Sequence, residues 1–267
     1  MTTDAAETAS PKKDGPTRNG PVRVVVETVV LVVVAIVLAL VVKTFFVQAF
    51  YIPSISMEPG LKVNDRILVE KPSYWFSGEP RRGDVIVFAD PGGWLEADAD
   101  TEPVGGIGKL LAKIGLYPTG GHLVKRVIGV GGDTVRCCDS KGRIEVNGHP
   151  LDEDGFIARQ EGCDGPMEQS NGNYRGGCRG WTAKVPKGRL FVMGDNRGDS
   201  ADSSFHLCSP PQQRAAENDP AKAKRCEGAF VPVDLVVGKV VALVWPAGHF
   251  RFLHRPATFD DVPAPAS

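Results

Sequence analysis

A mainly β, antiparallel domain behind a single N-terminal transmembrane helix is the fold class this sequence predicts. Three observations carry it. Val24 to Val42 is an almost unbroken apolar run; the rest of the chain holds short β-branched runs separated by turn residues; and no ten-residue helical pattern alternates with those runs, which disfavours a parallel sheet. The 31 Gly and 21 Pro in 267 residues fit a domain with many turns. Lys+Arg number 31 against Asp+Glu 32, a balance that gives no pointer to nucleic acid or to an acidic partner.

In VVVETVVLVVVAIVLALVV only Glu27 and Thr28 are polar. A helix of that length reaches roughly 28 Å, close to the hydrocarbon thickness of a bilayer. Lys12, Lys13, Arg18 and Arg23 precede it in a Gly/Pro-rich tail (residues 1–23) that cannot build a core, and only Lys43 follows closely. The positive-inside bias puts the N-terminus in the cytoplasm, residues 24–43 in the membrane and residues 44–256 outside as one domain. A rival reading exists, because Val47-Gln48-Ala49 has the small-residue spacing of a signal-peptide cleavage site. The full run has anchor length, and an uncut anchor in the cell membrane is the reading we take. The segment Phe45 to Ile52 is apolar enough to dip into the interface, and the Pro-rich tail, residues 257–267, reads as flexible.

Within the outer domain, RILVEK (Arg66 to Lys71), GDVIVFAD (Gly83 to Asp90), HLVKRVIGV (His122 to Val130), GRIEVNG (Gly142 to Gly148), GRLFVMGD (Gly188 to Asp195) and VVGKVVALVW (Val236 to Trp245) read as strands. Two insertions interrupt them, residues 94–121 and a Cys-containing stretch at 134–187. In the first, Ile107, Leu110, Leu111 and Ile114 have helical spacing, as a helix capping the sheet or one lying on the membrane surface would. The six cysteines suit an oxidising compartment. None has C-x-x-C spacing, so a metal site is not expected. Cys208 and Cys226 bracket a polar stretch without a core of its own, and closing it with a disulfide is the expected pairing. A bond between adjacent residues strains the peptide, so Cys137 and Cys138 are expected to pair with Cys163 and Cys178.

FYIPSISMEPGL, Phe50 to Leu61, sets Ser54 and Ser56 one residue apart just beyond the apolar run. A serine nucleophile needs a base. Among the five histidines, His149 sits in the NGHP turn, His249 and His254 follow the last strand, and His122 and His206 read as polar loop residues, so a Ser-His-Asp triad is not favoured. Lysine is the other route. With alternating side chains, Leu123, Lys125 and Val127 share one strand face while Val124, Arg126 and Ile128 share the other, so Lys125 points where apolar groups point. A general base must be neutral, which needs a pKa about three below the ~10.4 of free lysine, a difference of roughly 4 kcal/mol that only a buried amine supplies.

Four ordered blocks now carry a resemblance. FYIPSISMEPGL, RRGDVIVF (Arg81 to Phe88), LVKRVIGVGGD (Leu123 to Asp133) and MGDNRGDSADS (Met193 to Ser203) together resemble the bacterial type I signal peptidases, the membrane-anchored Ser/Lys serine proteases that remove signal peptides. The resemblance implies Ser56, directly before Met57, as nucleophile and Lys125 as general base, with an acyl-enzyme between the two steps. It implies an oxyanion hole from the Ser54 hydroxyl and the Ser56 backbone N–H, Ser200 orienting the lysine amine, and a supporting ion network of Arg126, Asp195 and Asp202. Phe50, Ile52, Pro53, Met57, Leu123 and Val124 would line a shallow pocket for the small residues of Ala-X-Ala sites. The implied partners are the signal peptides of exported preproteins and the lipid bilayer, with no cofactor. Departures from the family pattern are Ile55 between the serines, Gly60 where Thr is common, Gly198-Asp199, and Ser204 where Arg is frequent. Other classes would be a non-catalytic anchored binding domain, which leaves the inward lysine without purpose, and a soluble self-cleaving repressor, which would need a DNA-binding domain.

Overall fold

The structure is a computed structural model that describes residues 20–74, 78–95, 121–159, 163–165, 180–216 and 218–265. It divides into two compact units, residues 1–42 and 43–267. In the first, helix α1 (Pro21–Val41) begins with a proline at its first turn, where the missing N–H has no intrahelical partner to lose. Of its residues, Val22–Val41 are long and apolar enough to cross a membrane, and the side chains are exposed along the helix.

The second unit is built from antiparallel sheets. Strands β1 (Val47–Tyr51), β2 (Arg66–Glu70), β3 (Val85–Ala89), β4 (His122–Val130), β5 (Thr134–Cys137), β6 (Glu145–Val146), β7 (His149–Pro150), β8 (Trp181–Lys184), β9 (Arg189–Met193), β10 (Val231–Pro232), β11 (Val236–Trp245) and β12 (Arg251–Phe252) follow in chain order. The larger sheet runs β1-β2-β11-β3-β4-β9-β10, with β12 added to β11; the smaller runs β7-β6-β5-β8. All their pairings are antiparallel, so neighbouring strands need no long crossover helix.

Central strands β3 and β4 are buried on both faces, which is why VIVFA and LVKRVIG read as continuous rather than alternating runs. In their register Ile86 faces Lys125 and Val85 faces Arg126. The two faces belong to different cores. Ile86, Phe88, Leu123, Val127 and Val192 form one cluster, and Val85, Val87, Ile67, Val69, Phe50 and Met57 another. A third core joins the smaller sheet to Ile128, Phe191, Met193 and Phe230.

Several expectations change. Residues 47–51 of the supposed interfacial stretch are strand β1, paired with β2 over five residues, so Val47-Gln48-Ala49 lies inside a sheet. GRIEVNG shrinks to β6, because Asn147 and Gly148 take positive φ (52° and 79°) and turn the chain straight back into β7; His149 is therefore a strand residue. The polar stretch between Cys208 and Cys226 holds two helices, α2 (Pro210–Ala216) and α3 (Pro220–Glu227). The described part of the tail is packed: Phe259 and Val262 close the third core, and Pro263 O accepts a bond from Asn147 Nδ2 at 2.9 Å. The amphipathic segment 107–114 lies outside the described residues.

Cys208 and Cys226 form a disulfide with Cα atoms 5.3 Å apart. Cys137 and Cys138 do not take the partners expected for them but bond each other, with Cα atoms 3.0 Å apart. Cys163 is disulfide-bonded too, its sulfur 3.8 Å from that of Cys138, and Cys178 lies outside the described residues.

Candidate active site

Ser54 and Ser56 sit on the loop of residues 52–65 that links β1 to β2. The loop is closed at its base by Ile52 N–H to Asp65 O (2.9 Å) and Asn64 N–H to Ile52 O (3.0 Å). Met57 and Leu61, each 1% exposed, pin it to the second core. These anchors leave the two serines facing the end of β4. There Lys125 Nζ lies 2.6 Å from Ser56 Oγ, and Ser54 Oγ lies 3.2 Å from the same oxygen. Lys125 is 4% exposed and Ser56 8%, whereas Ser54 is exposed to solvent.

Burial pushes the Lys125 amine down from 10.5 to about 8, against the opposing pull of Asp202, Asp195 and Asp199, whose negative charges favour the ammonium. Desolvation wins because the amine sits on the sheet face that carries Ile86 of β3 and Leu123 and Val127 of β4. The resulting pair is a hydroxyl and an amine in hydrogen-bond contact, with the amine able to be neutral in mildly alkaline water. That is what proton abstraction from a serine requires.

The neighbouring residue holds the scaffold. Arg126 points to the opposite face of β4 and grips Asp195 with two bonds of 2.7 Å, donates to Gly83 O at 2.9 Å and stacks over the Phe156 ring at 4.6 Å. Asp202 accepts bonds from Gly194 N–H (2.9 Å), Ser200 Oγ (2.7 Å) and both the backbone and the hydroxyl of Ser204. Ser204, the departure from the family's frequent arginine, thus supplies two neutral donors. The expectation for Ser200 differs from its placement: its hydroxyl donates to Asp202, and the Lys125 amine makes its bond to Ser56. The charged carboxylate accepts the hydroxyl proton, whereas a protonated amine has no lone pair to offer it.

Of the expected pocket residues, Phe50, Ile52 and Met57 are buried in the second core with Val124 packed against it. Leu123 belongs to the cluster on the other sheet face, and Pro53 is exposed. Among the described residues, Cys137, Cys138 and Cys163 are the group close enough to share an ion, and all three are engaged in disulfides rather than free as thiolates.

Five further contributors had no individual role in the sequence reading. Asn196 fixes the serine loop, its N–H donating to Ser56 O (3.0 Å) and its side chain to Ile55 O (3.2 Å). Gly194 has to be glycine, since a Cβ there would meet Ser200 Oγ and Ser56 O at 2.4 Å. Arg197, fully buried, binds Glu153 with two bonds of 2.8 Å and donates to Gly194 O and Asp164 O. Glu153 and Asp164 come from the 134–187 insertion, where no spacing announces them. Arg197 stands in the Gly-Asp-Asn-Arg block, which was the available signal.

Comparison with known proteins follows the same lines. The family model described as "Signal peptidase, peptidase S26" matches residues 25–245. A probable signal peptidase I of Mycobacterium leprae is 38% identical over 209 residues, covering 73% of this chain and 67% of that protein. Signal peptidase I of Mycobacterium tuberculosis H37Rv is 39% identical over 208 residues (73% and 64%), and that of Leptolyngbya laminosa 33% over 208 residues (78% and 73%). The chain spans about two thirds of the length of these mycobacterial relatives. A solved signal peptidase I of Enterococcus faecalis V583 aligns with 61% of this chain and 97% of its own at 22% identity and a TM-score of 0.32. With a family model over residues 25–245 and relatives 38–39% identical, this chain belongs to the signal peptidase family, peptidase S26, a family of serine protease hydrolases.

Proposed function

We propose that this protein is a single-pass membrane endopeptidase, N-terminus in the cytoplasm, that removes signal peptides from exported preproteins after small residues by a Ser56/Lys125 mechanism. The observation that carries it is the buried Lys125 Nζ at 2.6 Å from Ser56 Oγ. Ser56 Oγ attacks the scissile carbonyl as neutral Lys125 takes its proton. The ammonium so formed then delivers that proton to the leaving amine. An ester between Ser56 and the signal peptide's new C-terminus remains, and water, activated by the again neutral amine, hydrolyses it.

The negative charge on the carbonyl oxygen is met by the Ser56 backbone N–H and the Ser54 hydroxyl, whose closeness to Ser56 Oγ suits it to that task. Arg126, Asp195 and Asp202 hold the strand and loop that bring these groups together, and Ser200 acts through Asp202. Phe50, Ile52, Met57 and Val124 exclude bulky side chains from the cleavage-site positions, while α1 keeps the protein on the bilayer.

The test is incubation of the purified protein with a preprotein bearing an Ala-X-Ala site, followed by N-terminal analysis of the product. Cleavage after the second Ala is expected from the wild type and none from Ser56→Ala or Lys125→Ala. Retained cleavage by Ser56→Ala would sink the assignment.

A further inference from the structure

One short segment, beyond the last long strand, touches the serine loop at two separate points. After β11 the chain turns through Ala247–His249 and returns as β12, where Arg251 pairs with Leu243 and Phe252 with Ala242. From this segment His249 Nδ1 donates to Asp65 Oδ1 at 2.9 Å, and the Arg251 guanidinium donates to Gly60 O. Asp65 is 1% exposed, and its second carboxylate oxygen accepts the Lys62 N–H at 2.8 Å. His249 therefore holds the return leg of the loop and Arg251 holds its far bend.

The position of the far bend matters for the site. A Cβ on Gly60 would stand 3.3 Å from Asp195 Oδ2 and 3.4 Å from Met57 O, so the bend lies against the Arg126 partner and against the residue that follows Ser56. Between the two held points lie Leu61, Lys62, Val63 and Asn64; three residues before Gly60 lies Met57, whose carbonyl accepts the Leu61 N–H at 2.8 Å. Its base, the apolar anchors Met57 and Leu61 and the Asn196 bonds to Ser56 O and Ile55 O hold the outgoing leg of the loop but leave the Gly60 bend free to pivot. A second pair of polar ties from an independent strand removes that freedom.

We propose that His249 and Arg251 are positioning residues for the hydrolysis, holding the serine loop so that Ser56 Oγ stays in contact with Lys125 Nζ. They touch no reacting atom and act through Asp65 and the Gly60 carbonyl. The proposal rests on the Ser56/Lys125 reading, and the two can fail separately. Displacing a nucleophile by as little as ~1 Å costs up to about 100-fold in rate while leaving substrate binding almost untouched. The signature of a positioning residue is therefore a fall in kcat at unchanged KM.

The experiment uses the full chain in detergent with a signal-peptide substrate, and compares His249→Ala, Arg251→Ala, the double variant and His249→Asn. Asparagine places an N–H donor close to where Nδ1 stands, so it should keep the bond to Asp65. Expected are roughly tenfold losses in kcat for the two alanine variants, KM within about twofold, a larger loss in the double variant, and recovery of most of the rate by His249→Asn. Thermal unfolding of each variant, followed by circular dichroism, sets the fraction folded, and kcat is expressed per folded molecule. Unchanged kcat per folded molecule in both alanine variants would overturn the proposal while leaving the nucleophile assignment intact. Equal losses in His249→Asn and His249→Ala would overturn the Asp65 bond as the route. Activity in Ser56→Ala, run alongside, would instead bring down the reading on which the proposal rests.

Discussion

Lys125 concentrates the conflict between stability and chemistry in one side chain. Its amine is held at about 8 by burial, which is 10.5 in the unfolded chain, so the folded state disfavours the ammonium. Below pH 8 both states are protonated and the whole desolvation cost is present. Between about 8 and 10.5 the folded protein has lost a proton that the unfolded chain keeps, and stability rises with pH. Lys125→Met, which keeps the volume and removes the charge, should thus stabilise the protein at pH 7, by up to about 3 kcal/mol, with the gain shrinking as pH approaches 10. Thermal denaturation across that pH range measures it. Cleavage by the wild type should climb with a midpoint near 8, and Lys125→Arg should be inactive because guanidinium stays protonated. A pH profile flat from 6 to 9 would count against Lys125 as the base.

Elements, more than single residues, decide what meets in the site. Gly194 follows β9 at a point where Ser200 and the Ser56 carbonyl crowd the Cβ position to 2.4 Å, so Gly194→Ala should push the 200–204 turn off the serine loop. A loss of at least tenfold in cleavage together with a lower melting temperature is expected, read by peptide turnover and calorimetry. The long strands were legible because their burial is continuous: HLVKRVIGV and VVGKVVALVW coincide with β4 and β11 to the residue. Two-residue strands such as β6, β7, β10 and β12 carry too few side chains for a period to show. Helices α2 and α3 lack an apolar stripe, and their local signs are the prolines at their starts with Ser209 and Asp219 just before them. In the site, the meeting of Ser56 with Lys125 was legible through ordered blocks that resemble a family, since 69 residues separate them. The Asn196, Glu153 and His249 contacts were not, because a polar residue on a loop looks the same whether it faces water or another loop.

At the scale of the whole molecule, the third core is closed by the last residues of the chain. Phe259 is 2% exposed and Val262 7%, and both pack with residues from the smaller sheet and β9. Removing residues 257–267 should cost about 3–5 kcal/mol in lost burial and cavity, visible as a lower denaturant midpoint. A truncation with an unchanged midpoint would return that stretch to the status of a loose tail. The same packing, from three cores and the carboxylates around them, sets the lysine at about 8, and this fixes how a population of molecules behaves. At pH 7 about one molecule in ten carries a neutral amine at any instant, and at pH 6 about one in a hundred. On the proposed mechanism, acidity on the side of the membrane where the site lies sets the share of the enzyme that is armed, with no effector bound and no part of the chain moved.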